Sequence, residues 1–375
     1  MKILQVTAPA PVGGLERVVL GLTTGLQNAG HEPRVAAILD PGVTDHPLVR
    51  ALEMAGVPVH PIHVAGRQYA VERARVEEIG KLHGADVMHT HGYHPDVIDG
   101  VVARRLRVPV VSTVHGFTGG GMRNRLYEWL QIRAYRRFDG VIAVSAPIVD
   151  RVTKGGVSPS RVHHLPNAWV EMPGAHPLDR VAARETLGVP RGGARIGWVG
   201  RMSFEKGPDV MIDALALLKR AHVQLSMIGD GPALKHVQLK AKELGVRDQV
   251  TWHGLVPDAG RLLTAFDVVV LSSRTEGTPI ILFEAVAARV PVVSTAVGGI
   301  PAVVTEREAV MVPSEDPAAL ARGIARAVED KAGALARATA ATERVAFKFA
   351  AGPWIDRHVN LYRALIGARR EGDRE

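Results

Sequence analysis

The sequence predicts an α/β protein made of two doubly wound domains, each built on a parallel sheet. Three observations support this prediction. Short β-branched runs alternate with longer helical patterns, the alternation occurs twice, and a segment rich in proline and glycine separates the two series. A chain of 375 residues has the length of two ordinary domains, and its hydrophobic fraction of 46% is that of a globular protein.

The first half contains five predicted strands, each a short run of apolar and β-branched residues. They lie at residues 2–6, 34–38, 86–90, 108–114 and 140–145. A helix is predicted over residues 15–30, where Val18, Leu22 and Leu26 follow helical spacing and Gly30 supplies a stop. Strands that alternate with helices in this way form parallel sheets covered on both faces.

The second half repeats the pattern. Strands are predicted at residues 195–200, 224–229, 250–254, 268–273 and 291–295, and helices at 208–219, 232–244, 280–288 and 317–329. A hinge is expected near residues 167–194, and a last helix over 354–370 has an apolar stripe that could pack on either domain. Ligands of such sheets bind beyond the carboxyl ends of the strands, so a cleft between the two domains is the expected site.

The composition excludes several classes of protein. The chain has no cysteine, which excludes a disulfide scaffold, a thiolate zinc site, an iron–sulfur cluster and a cysteine nucleophile. The N-terminal apolar run is short and soon broken by prolines, so no signal peptide is expected, and no run of about 20 apolar residues occurs. These features predict a cytoplasmic protein.

The formal net charge of +8 points to an anionic partner such as nucleic acid, a lipid surface or a phosphorylated substrate. Most of it lies in residues 100–138, where eight arginines stand against one acid, Glu128. Within this stretch, residues 122–138 indicate an amphipathic helix; a core-packed helix with solvated arginines is the competing interpretation. Aromatic residues make up 5% of the chain, so a nucleic-acid surface with interleaved aromatics is not expected.

A glycine-containing turn follows the first strand of each half and opens a helix. In residues 12–19, the backbone at Gly14 can approach a phosphate, whose charge a helix N-terminus favours. In the second half, Arg201 and Lys206 precede the helix and suit a diphosphate. The alternatives are an ordinary turn and a solvated loop. The fingerprint G-x-G-x-x-G is absent at both places, which argues against a nicotinamide dehydrogenase.

Two carboxylates follow the predicted strand 268–273 and stand eight positions apart. Glu276 lies in the loop, and Glu284 lies in the next helix among apolar neighbours, where a carboxylate needs a partner. One carboxylate can reach a sugar while the other reaches a ribose, and backbone N–H groups at 277, 278 and 280 can bind phosphate oxygens. Solvated surface glutamates are the alternative.

The histidines of the first half form a separate group of candidates. His89, His91 and His94 have a spacing found in metal sites, but metallo-hydrolases with this motif carry an acid before the third histidine, where Tyr93 stands. No metal is therefore expected. His115 ends the most apolar strand and is expected to face the cleft; a hydrogen-bonded structural histidine is the alternative for His89 and His115.

Taken together, the motifs have a familiar order. They are GGLERVV at 13–19, H-x-H at 89–91, VHG at 114–116, VSAPI at 144–148, LPNAWV at 165–170, GRMSFEKGPDVMIDAL at 200–215, IGDGP at 228–232 and EGTPIILFEA at 276–285. In this order the set resembles the retaining glycosyltransferases of family 4, which have the GT-B fold. The resemblance covers essentially the whole chain, and E-x7-E and GR-x4-KG are its most specific elements.

The resemblance implies two Rossmann-like domains that face a cleft. Residues 1–170 would bind the acceptor, joined by residues 354–375 that cross back, and residues 171–353 would bind the nucleotide sugar. The implied reaction moves a sugar from a nucleotide diphosphate sugar to a hydroxyl acceptor with retention and without metal or other cofactor. The leaving phosphate would deprotonate the acceptor on the front face. A UDP-sugar is the expected donor, with GDP- and ADP-sugars as alternatives.

The resemblance also assigns roles to residues. Donor binding would involve Gly14, Arg201, Lys206, Leu255, Glu276, Gly277, Thr278, Pro279, Ile280 and Glu284. Of these, Arg201 and Lys206 would neutralise the diphosphate and Glu276 would hold the transferred sugar, with His115 beside it; these four are the catalytic candidates. Glu284 would hold the ribose, and the backbone near Leu255 would read the base. The acceptor-side candidates are His89, His91 and Asn167.

Two departures from the family pattern bear on these roles. Many relatives have glycine where this chain has Pro279, which removes one backbone donor, and glycine where it has Ala168, which resists positive φ. A GT-B sugar-nucleotide epimerase and a non-catalytic nucleotide-sugar-binding protein stay as alternative functions. The acceptor is open and includes phosphorylated and lipid-linked hydroxyls, and residues 122–138 could bind an anionic membrane surface.

Overall fold

The computed structural model divides the chain into two compact units. Unit 1 comprises Met1–Ala168 together with the segment that begins at Ala351, and unit 2 comprises Trp169–Ala350. The residues that the structure describes are 1–11, 13–117, 122–171, 174–218 and 223–372. Val12 of the first glycine motif and residue 219 of the predicted helix 208–219 lie outside them.

Unit 1 is built on a seven-stranded sheet in the order β3-β2-β1-β4-β5-β6-β7. Its strands are β1 (Lys2–Thr7), β2 (Glu32–Leu39), β3 (Val59–His63), β4 (Val87–His91), β5 (Val110–Val114), β6 (Gly140–Ala143) and β7 (Val162–His164). Its helices up to the unit boundary are α1 (Gly14–Asn28), α2 (Pro47–Met54), α3 (Tyr69–His83), α4 (Tyr93–Ile98), α5 (Val102–Leu106), α6 (Met122–Tyr135) and α7 (Ala146–Lys154). All its strand pairs are parallel.

Unit 2 is built on a six-stranded parallel sheet in the order β10-β9-β8-β11-β12-β13. Its strands are β8 (Ala194–Val199), β9 (Val223–Ile228), β10 (Val250–Gly254), β11 (Val268–Leu271), β12 (Val292–Thr295) and β13 (Val310–Val312). Its helices are α8 (Arg180–Thr186), α9 (Pro208–Leu218), α10 (Leu234–Glu243), α11 (Ile280–Ala287), α12 (Ile300–Val303), α13 (Pro317–Glu329) and α14 (Lys331–Lys348).

The last helix, α15 (Ala351–Gly372), returns to unit 1. It begins three residues before the predicted start, because Pro353 is tolerated in the first turn of a helix. It packs closely where unit 1 offers glycines: a Cβ on Gly25 would lie 2.4 Å from Cδ1 of Ile355, and one on Gly140 would lie 3.0 Å from Cδ1 of Leu365. The apolar stripe alone left the partner of this helix open, the family resemblance implied the first domain, and these contacts are with unit 1.

Both sheets carry continuous apolar strands, as expected for parallel sheets covered on two faces. Every residue of β5, β6, β11 and β12 is buried. The predicted α/β class with two doubly wound parallel sheets is confirmed. Three strands escaped prediction, namely β3, β7 and β13, and all three lie at sheet edges. No helix among the described residues is long and apolar enough to cross a membrane.

The described residues of the stretch 167–194 lie almost entirely within unit 2, and Arg184 anchors the part around α8. Arg184 of α8 is buried, and its guanidinium donates to the carbonyls of Ala265 at 2.8 Å and Arg191 at 2.7 Å. Its Nη2 lies 3.4 Å from the carboxylate of Asp267. The chain therefore changes unit abruptly, between Ala168 and Trp169.

Candidate functional site

The loop after β8 brings Lys206 to the carboxyl edge of the unit 2 sheet. Residues Phe204–Lys206 form a single 3₁₀ turn, and Gly207 follows with a φ of +61°. A Cβ on Gly207 would lie 2.2 Å from the carbonyl oxygen of Ser272, at the end of β11. Glycine is required here because both the left-handed backbone and the close approach exclude a side chain. The turn thus fixes Lys206 beside the loop that carries Glu276.

Lys206 and Glu276 form the central ion pair of unit 2. The Nζ of Lys206 donates to both carboxylate oxygens of Glu276, at 2.7 and 2.8 Å. Ser273 adds a third hydrogen bond, from its Oγ to Oε1 at 2.6 Å. The Glu276 side chain is 6% exposed and that of Lys206 is 28% exposed. The sequence predicted both residues for the site, and the structure brings them together.

The backbone around Glu276 is held by a pair of glycines, Gly298 and Gly299, that the sequence motifs do not include. Gly298 has a φ of +59°, and a Cβ there would lie 1.8 Å from the carbonyl oxygen of Glu276. The N–H of Gly299 donates to the carbonyl of Gly277 at 2.7 Å. The pair follows β12 after two residues, and a double glycine just beyond a strand end is the signal that could have identified it.

The loop then runs into α11. Thr278 is buried, and Pro279 caps the helix with an extended backbone at φ −71° and ψ 125°. The N–H of Leu282 is bonded to the carbonyl of Pro279 at 3.2 Å, which leaves the N–H groups of Ile280 and Ile281 at the start of the helix without intrahelical acceptors. These two N–H groups can receive an anion, while proline contributes none.

Glu284 and Leu255 lie farther along the same unit. The carboxylate of Glu284 faces Gly260, where a Cβ would lie 2.6 Å from its carboxyl carbon, so a larger residue there would displace the Glu284 carboxylate. Leu255 follows β10 directly, and its side chain is 52% exposed. Arg201 is exposed as well, and among the described residues its guanidinium has no hydrogen-bond or ion-pair partner.

A second charged group braces the loop that carries Glu276. Arg274 makes two hydrogen bonds to Asp209 in α9, at 2.9 and 2.8 Å, and its guanidinium lies 4.1 Å from the centre of the Phe204 ring. Although burial opposes its ionisation, these Arg274 hydrogen bonds hold the pKa of Asp209 below its usual value. These contacts of Arg274 connect the turn that carries Lys206 to the loop that carries Glu276.

Unit 1 contains a buried chain of hydrogen bonds that ends at His115. Thr23 Oγ1 donates to the Val19 carbonyl at 2.6 Å and accepts from Nε2 of Gln5 at 2.6 Å. The Oε1 of Gln5 lies 2.9 Å from Nε2 of His91. The Nδ1 of His91 lies 3.3 Å from Nε2 of His115.

This chain assigns the proton positions on both rings. The Thr23 hydroxyl donates to the Val19 carbonyl and accepts from Nε2 of Gln5, and with this orientation the amide oxygen of Gln5 faces His91. Burial, and then neighbouring histidine charges, lower the pKa of His91 well below its usual value; burial and His358 lower the pKa of His115 to about 4. Both rings are neutral, so Nε2 carries the proton in each and Nδ1 of His115 is left as an acceptor.

His89 lies deeper than this chain. Its Nδ1 is 2.7 Å from Oη of Tyr362 in α15, its Nε2 is 2.8 Å from Oγ1 of Thr113, and its ring centre is 4.1 Å from that of His91. Burial lowers its pKa well below the usual value. His89 and His91 are both fully buried, so the structure places these acceptor-side candidates behind His115 rather than at a surface.

The remaining candidates of unit 1 stand apart from this cluster. Gly14 begins α1 and is exposed. The carboxylate of Glu16 accepts the Ala10 N–H at 2.7 Å, which closes the turn before the helix. Asn167 is 4% exposed, next to Ala168, whose backbone does not adopt the positive φ that glycine would permit.

Three large apolar side chains of the helix α6 are exposed. Met122 is 86% exposed, and Leu126 and Trp129 are each 54% exposed. Its inner face is polar, since Gln131 and Tyr135 donate to the buried Asp96 at 2.8 and 2.7 Å. The core-packed interpretation of this helix therefore fails for Leu126 and Trp129. The side chain of Arg123 lies outside the described residues.

Comparison with protein families divides the chain at the unit boundary. The model of Glycosyltransferase Family 4 matches residues 12–168, and the model of Glycosyl transferases group 1 matches residues 179–344. Among curated proteins, a D-inositol 3-phosphate glycosyltransferase of Xylanimonas cellulosilytica is 29% identical over 384 residues, covering 92% of this chain and 91% of the relative. An uncharacterized glycosyltransferase of Methanocaldococcus jannaschii is 27% identical over 356 residues, covering 88% and 90%.

Solved structures share the fold. The crystal structure of Anabaena HepE in complex with UDP-glucose superimposes with a TM-score of 0.83 at 21% identity, covering 97% of this chain and 100% of the other. At this identity the likeness establishes the architecture, which is the GT-B fold with its two Rossmann-like sheets.

Proposed function

Because the chain is a glycosyltransferase of the GT-B fold, with a family 4 N-terminal domain and a group 1 C-terminal domain, we propose that it transfers a sugar from a UDP-sugar to a hydroxyl acceptor with retention of configuration. The observation that carries the proposal is the Lys206–Glu276 pair, held at the carboxyl edge of the unit 2 sheet. The UDP-glucose named for the HepE complex supports the choice of donor.

The ion pair gives unit 2 a site that exchanges partners when the donor binds. A diphosphate offers Lys206 an oxyanion in place of Glu276, and the carboxylate is then free to accept hydrogen bonds from sugar hydroxyls. Ser273 keeps one carboxylate oxygen in place during this exchange. The exchange avoids leaving either charge buried without a partner, which would cost several kcal/mol.

The leaving diphosphate is stabilised by positive groups of the protein. Lys206, Arg201 and the N–H groups at the start of α11 supply the charge stabilisation, so no metal is required for this step. The C–O bond to the leaving phosphate breaks as the acceptor oxygen attacks the same face of the sugar, and the acceptor proton passes to the phosphate oxygen. Glu276 acts by positioning, and no covalent intermediate on a carboxylate is needed.

His115 supplies a neutral contact to the sugar. Its Nδ1 is an acceptor, so a sugar hydroxyl can donate a hydrogen bond to that atom. A neutral ring adds no positive charge next to a developing oxocarbenium ion, whereas an imidazolium would repel it. His89 and His91 hold His115 from behind in this scheme.

The decisive experiment compares two lysine–carboxylate pairs of unit 2. Lys206→Met and Glu276→Gln are assayed for hydrolysis and transfer with UDP-, GDP- and ADP-sugars. Lys240→Met serves as the control, because the Nζ of Lys240 lies 2.5 Å from the carboxylate of Asp213 and this ion pair contains none of the candidate site residues. We expect losses of about 100-fold or more for the first two and none for the control. Full activity of Lys206→Met would refute the assignment of the site.

The stereochemical proposal has its own measurement. The anomeric configuration of the product, followed by NMR from the first turnovers, should equal that of the donor sugar. An inverted product would disprove retention while leaving the donor site intact. The acceptor panel should include inositol 3-phosphate, which is named for the Xylanimonas relative, beside unphosphorylated inositol and a lipid-linked hydroxyl.

We also propose that the outer face of α6 docks on an anionic membrane. Met122, Leu126 and Trp129 recur at spacings of four and three, which places them on one side of the helix. Arg133 lies over the Trp129 ring at 5.6 Å, and Arg125 and Arg137 are exposed nearby in sequence. Apolar side chains with an aromatic and flanking arginines are typical of helices that lie in a membrane interface.

Vesicle binding tests this second proposal. We expect the wild-type protein to bind vesicles rich in phosphatidylglycerol, and this binding should weaken as the salt concentration rises. Binding to vesicles of phosphatidylcholine alone should be weaker. The variant Trp129→Ser should lose binding to the anionic vesicles. Phe347→Ser is the matched control, because Phe347 is 85% exposed but lies in unit 2. Equal vesicle binding by the two variants would disprove the role of α6.

A further inference from the structure

Unit 1 holds two buried aspartates whose surroundings differ sharply. Asp96 accepts hydrogen bonds from Thr90 at 2.6 Å, Ser112 at 2.7 Å, Gln131 at 2.8 Å and Tyr135 at 2.7 Å. Asp99, three residues later, is also completely buried, yet neither of its carboxylate oxygens has a hydrogen-bond donor among the described residues. A buried carboxylate without donors requires another source of stabilisation.

The groups nearest to Asp99 are themselves ligand atoms. Glu72 of α3 is fully buried, and its Oε2 has no donor among the described residues. Its Oε1 lies 2.6 Å from Nε2 of His94 in α4, whose side chain is 34% exposed. One ligand atom from each of Glu72, His94 and Asp99 falls within 4.8 Å of the others. Ligands of a tetrahedral zinc, with bonds of 2.0–2.2 Å, stand about 3.3 Å apart, so small side-chain movements suffice.

We propose that Glu72, His94 and Asp99 bind a divalent transition-metal ion of the Zn²⁺ type. One imidazole nitrogen with two carboxylates is a donor set that suits zinc and its neighbours, whereas magnesium and calcium prefer oxygen alone. The partly exposed His94 leaves a path for the ion and for a solvent ligand. The ion would tie α3 to the segment that follows β4.

The local charges agree with a cation at this place. Glu72, Asp96 and Asp99 carry three negative charges when ionised, and Arg73, whose Nε donates to the Ile98 carbonyl at 2.6 Å, is the facing positive group. A divalent ion would balance the remaining excess. The site is separate from the histidine chain of His91 and His115, and it uses His94, the one member of the H-x-H-x-x-H spacing that does not join the buried His89 and His91 rings.

A shared proton is the competing account. Burial, and then the charge of Glu72, raise the pKa of Asp99 to about 9, so without a cation this carboxyl is protonated at neutral pH and can donate to Glu72. A metal ion would have to displace that proton. The two accounts therefore differ in whether zinc binds, which is measurable without any assay of sugar transfer.

The test uses the full-length chain stripped with EDTA and titrated with ZnCl₂ by calorimetry and thermal unfolding. We expect one tight equivalent per chain and an increase in Tm of about 5 °C at zinc a hundredfold above its Kd, both absent with MgCl₂. His94→Ala and Asp99→Asn should remove this equivalent, while His164→Ala, which changes an exposed histidine of β7, should keep it.

Two results would overturn the proposal. One is the absence of a stoichiometric zinc site in the wild-type chain. The other is zinc binding by Asp99→Asn equal to that of the wild type, which would leave the shared proton as the explanation of the pair. If Asp99→Asn does not fold, His94→Ala decides alone, because its side chain is partly exposed and its loss leaves the two carboxyls free to share a proton.

Discussion

The two units of this glycosyltransferase present their site residues in opposite electrostatic states. Unit 2 uses charges: Lys206 is bonded to Glu276, and Arg274 is bonded to Asp209. Unit 1 uses neutral groups: His91 and His115 are uncharged and joined in a one-way chain of hydrogen bonds. Both arrangements avoid a buried unpaired charge: unit 2 pairs its charged side chains, and unit 1 keeps its histidines neutral.

The difference determines what each unit responds to. An ion pair keeps its contribution to stability when the pH changes. It loses that contribution when one partner is removed, because the remaining charge is left buried. A neutral buried histidine is insensitive to the loss of distant charges. Because it resists protonation, it lowers the free energy of unfolding in acid. Unit 1 should therefore be the acid-sensitive part of the molecule, and unit 2 the part sensitive to backbone and charge substitutions around Glu276.

The largest expected effect is on the stability of unit 1 in acid. The pKa values of His115 and His358 are lowered to about 4 by burial, and burial also lowers those of His89 and His91 well below their usual value. Below pH 6.5 these histidines bind protons in the unfolded chain but stay unprotonated in the folded protein. The histidine contribution to stability is therefore complete above pH 6.5 and falls as the pH decreases toward 4, by about 3 kcal/mol for each of His115 and His358. Asp99, whose pKa burial raises to about 9, has the opposite sign and offsets part of this loss, so the four histidines together must outweigh it.

Pulse proteolysis in urea, at pH values from 7.5 to 4.5 with fragments assigned to each unit, measures this effect. The urea midpoint of unit 1 should fall before that of unit 2 as the pH decreases. In His358→Gln, the dependence of the unfolding free energy on pH should be smaller by the equivalent of about one proton. Unit 2 has one described histidine with a lowered pKa, His253, and should change less. Parallel loss in both units, or an unchanged unit 1 at pH 5, would contradict the contrast.

A smaller effect is expected at Gly298 in unit 2. Gly298→Ala introduces positive φ strain and a Cβ 1.8 Å from the Glu276 carbonyl, so we expect about 3 kcal/mol of destabilisation and displacement of Glu276. Gly245→Ala is the matched control, since Gly245 has a φ of +70° and a Cβ added there would meet nothing within 4 Å. Urea midpoints and donor hydrolysis measure both variants. If the two variants have the same urea midpoint and the same rate of donor hydrolysis, the close packing of Gly298 on Glu276 contributes to neither stability nor activity.

The sequence predicted most of the fold because central parallel strands are continuous apolar runs. The strands that escaped were β3, β7 and β13, each at the edge of its sheet, where a strand has one neighbour and can include proline or histidine. Strands β3 and β7 lack the two-sided burial that makes a strand visible in a sequence, and β13 has only three residues. The other described edge strand, β10, was predicted. The core-packed interpretation of α6 failed for Leu126 and Trp129, because the buried face of the helix is polar where Gln131 and Tyr135 bind Asp96.

The candidate residues of the site were predictable where motif and strand end coincide, as for Lys206 and Glu276. The supporting residues were not, because Gln5, Thr23, Thr113 and Tyr362 reach the histidines from strands and helices far apart in sequence. A buried hydrogen-bond chain has no spacing signature. Its members can be found by asking which polar residues occupy otherwise apolar strands, and Gln5 in β1 is such a residue.

The smallest expected effect tests that chain directly. Gln5→Leu removes the acceptor for the Nε2 proton of His91, so His91 can shift its proton to Nδ1 and turn His115 to the other tautomer, with Nδ1 protonated. We expect a loss of about tenfold in kcat/KM and a stability loss of about 1–2 kcal/mol. Nitrogen-15 NMR of the imidazoles should show the exchange of tautomer. Gln131→Leu, which removes an equally buried amide that serves Asp96, should cost similar stability but leave both the His115 tautomer and kcat/KM unchanged. If Gln131→Leu reduces kcat/KM as much as Gln5→Leu, or if the tautomer of His115 survives Gln5→Leu, the chain supports unit 1 structurally and does not set the acceptor at Nδ1.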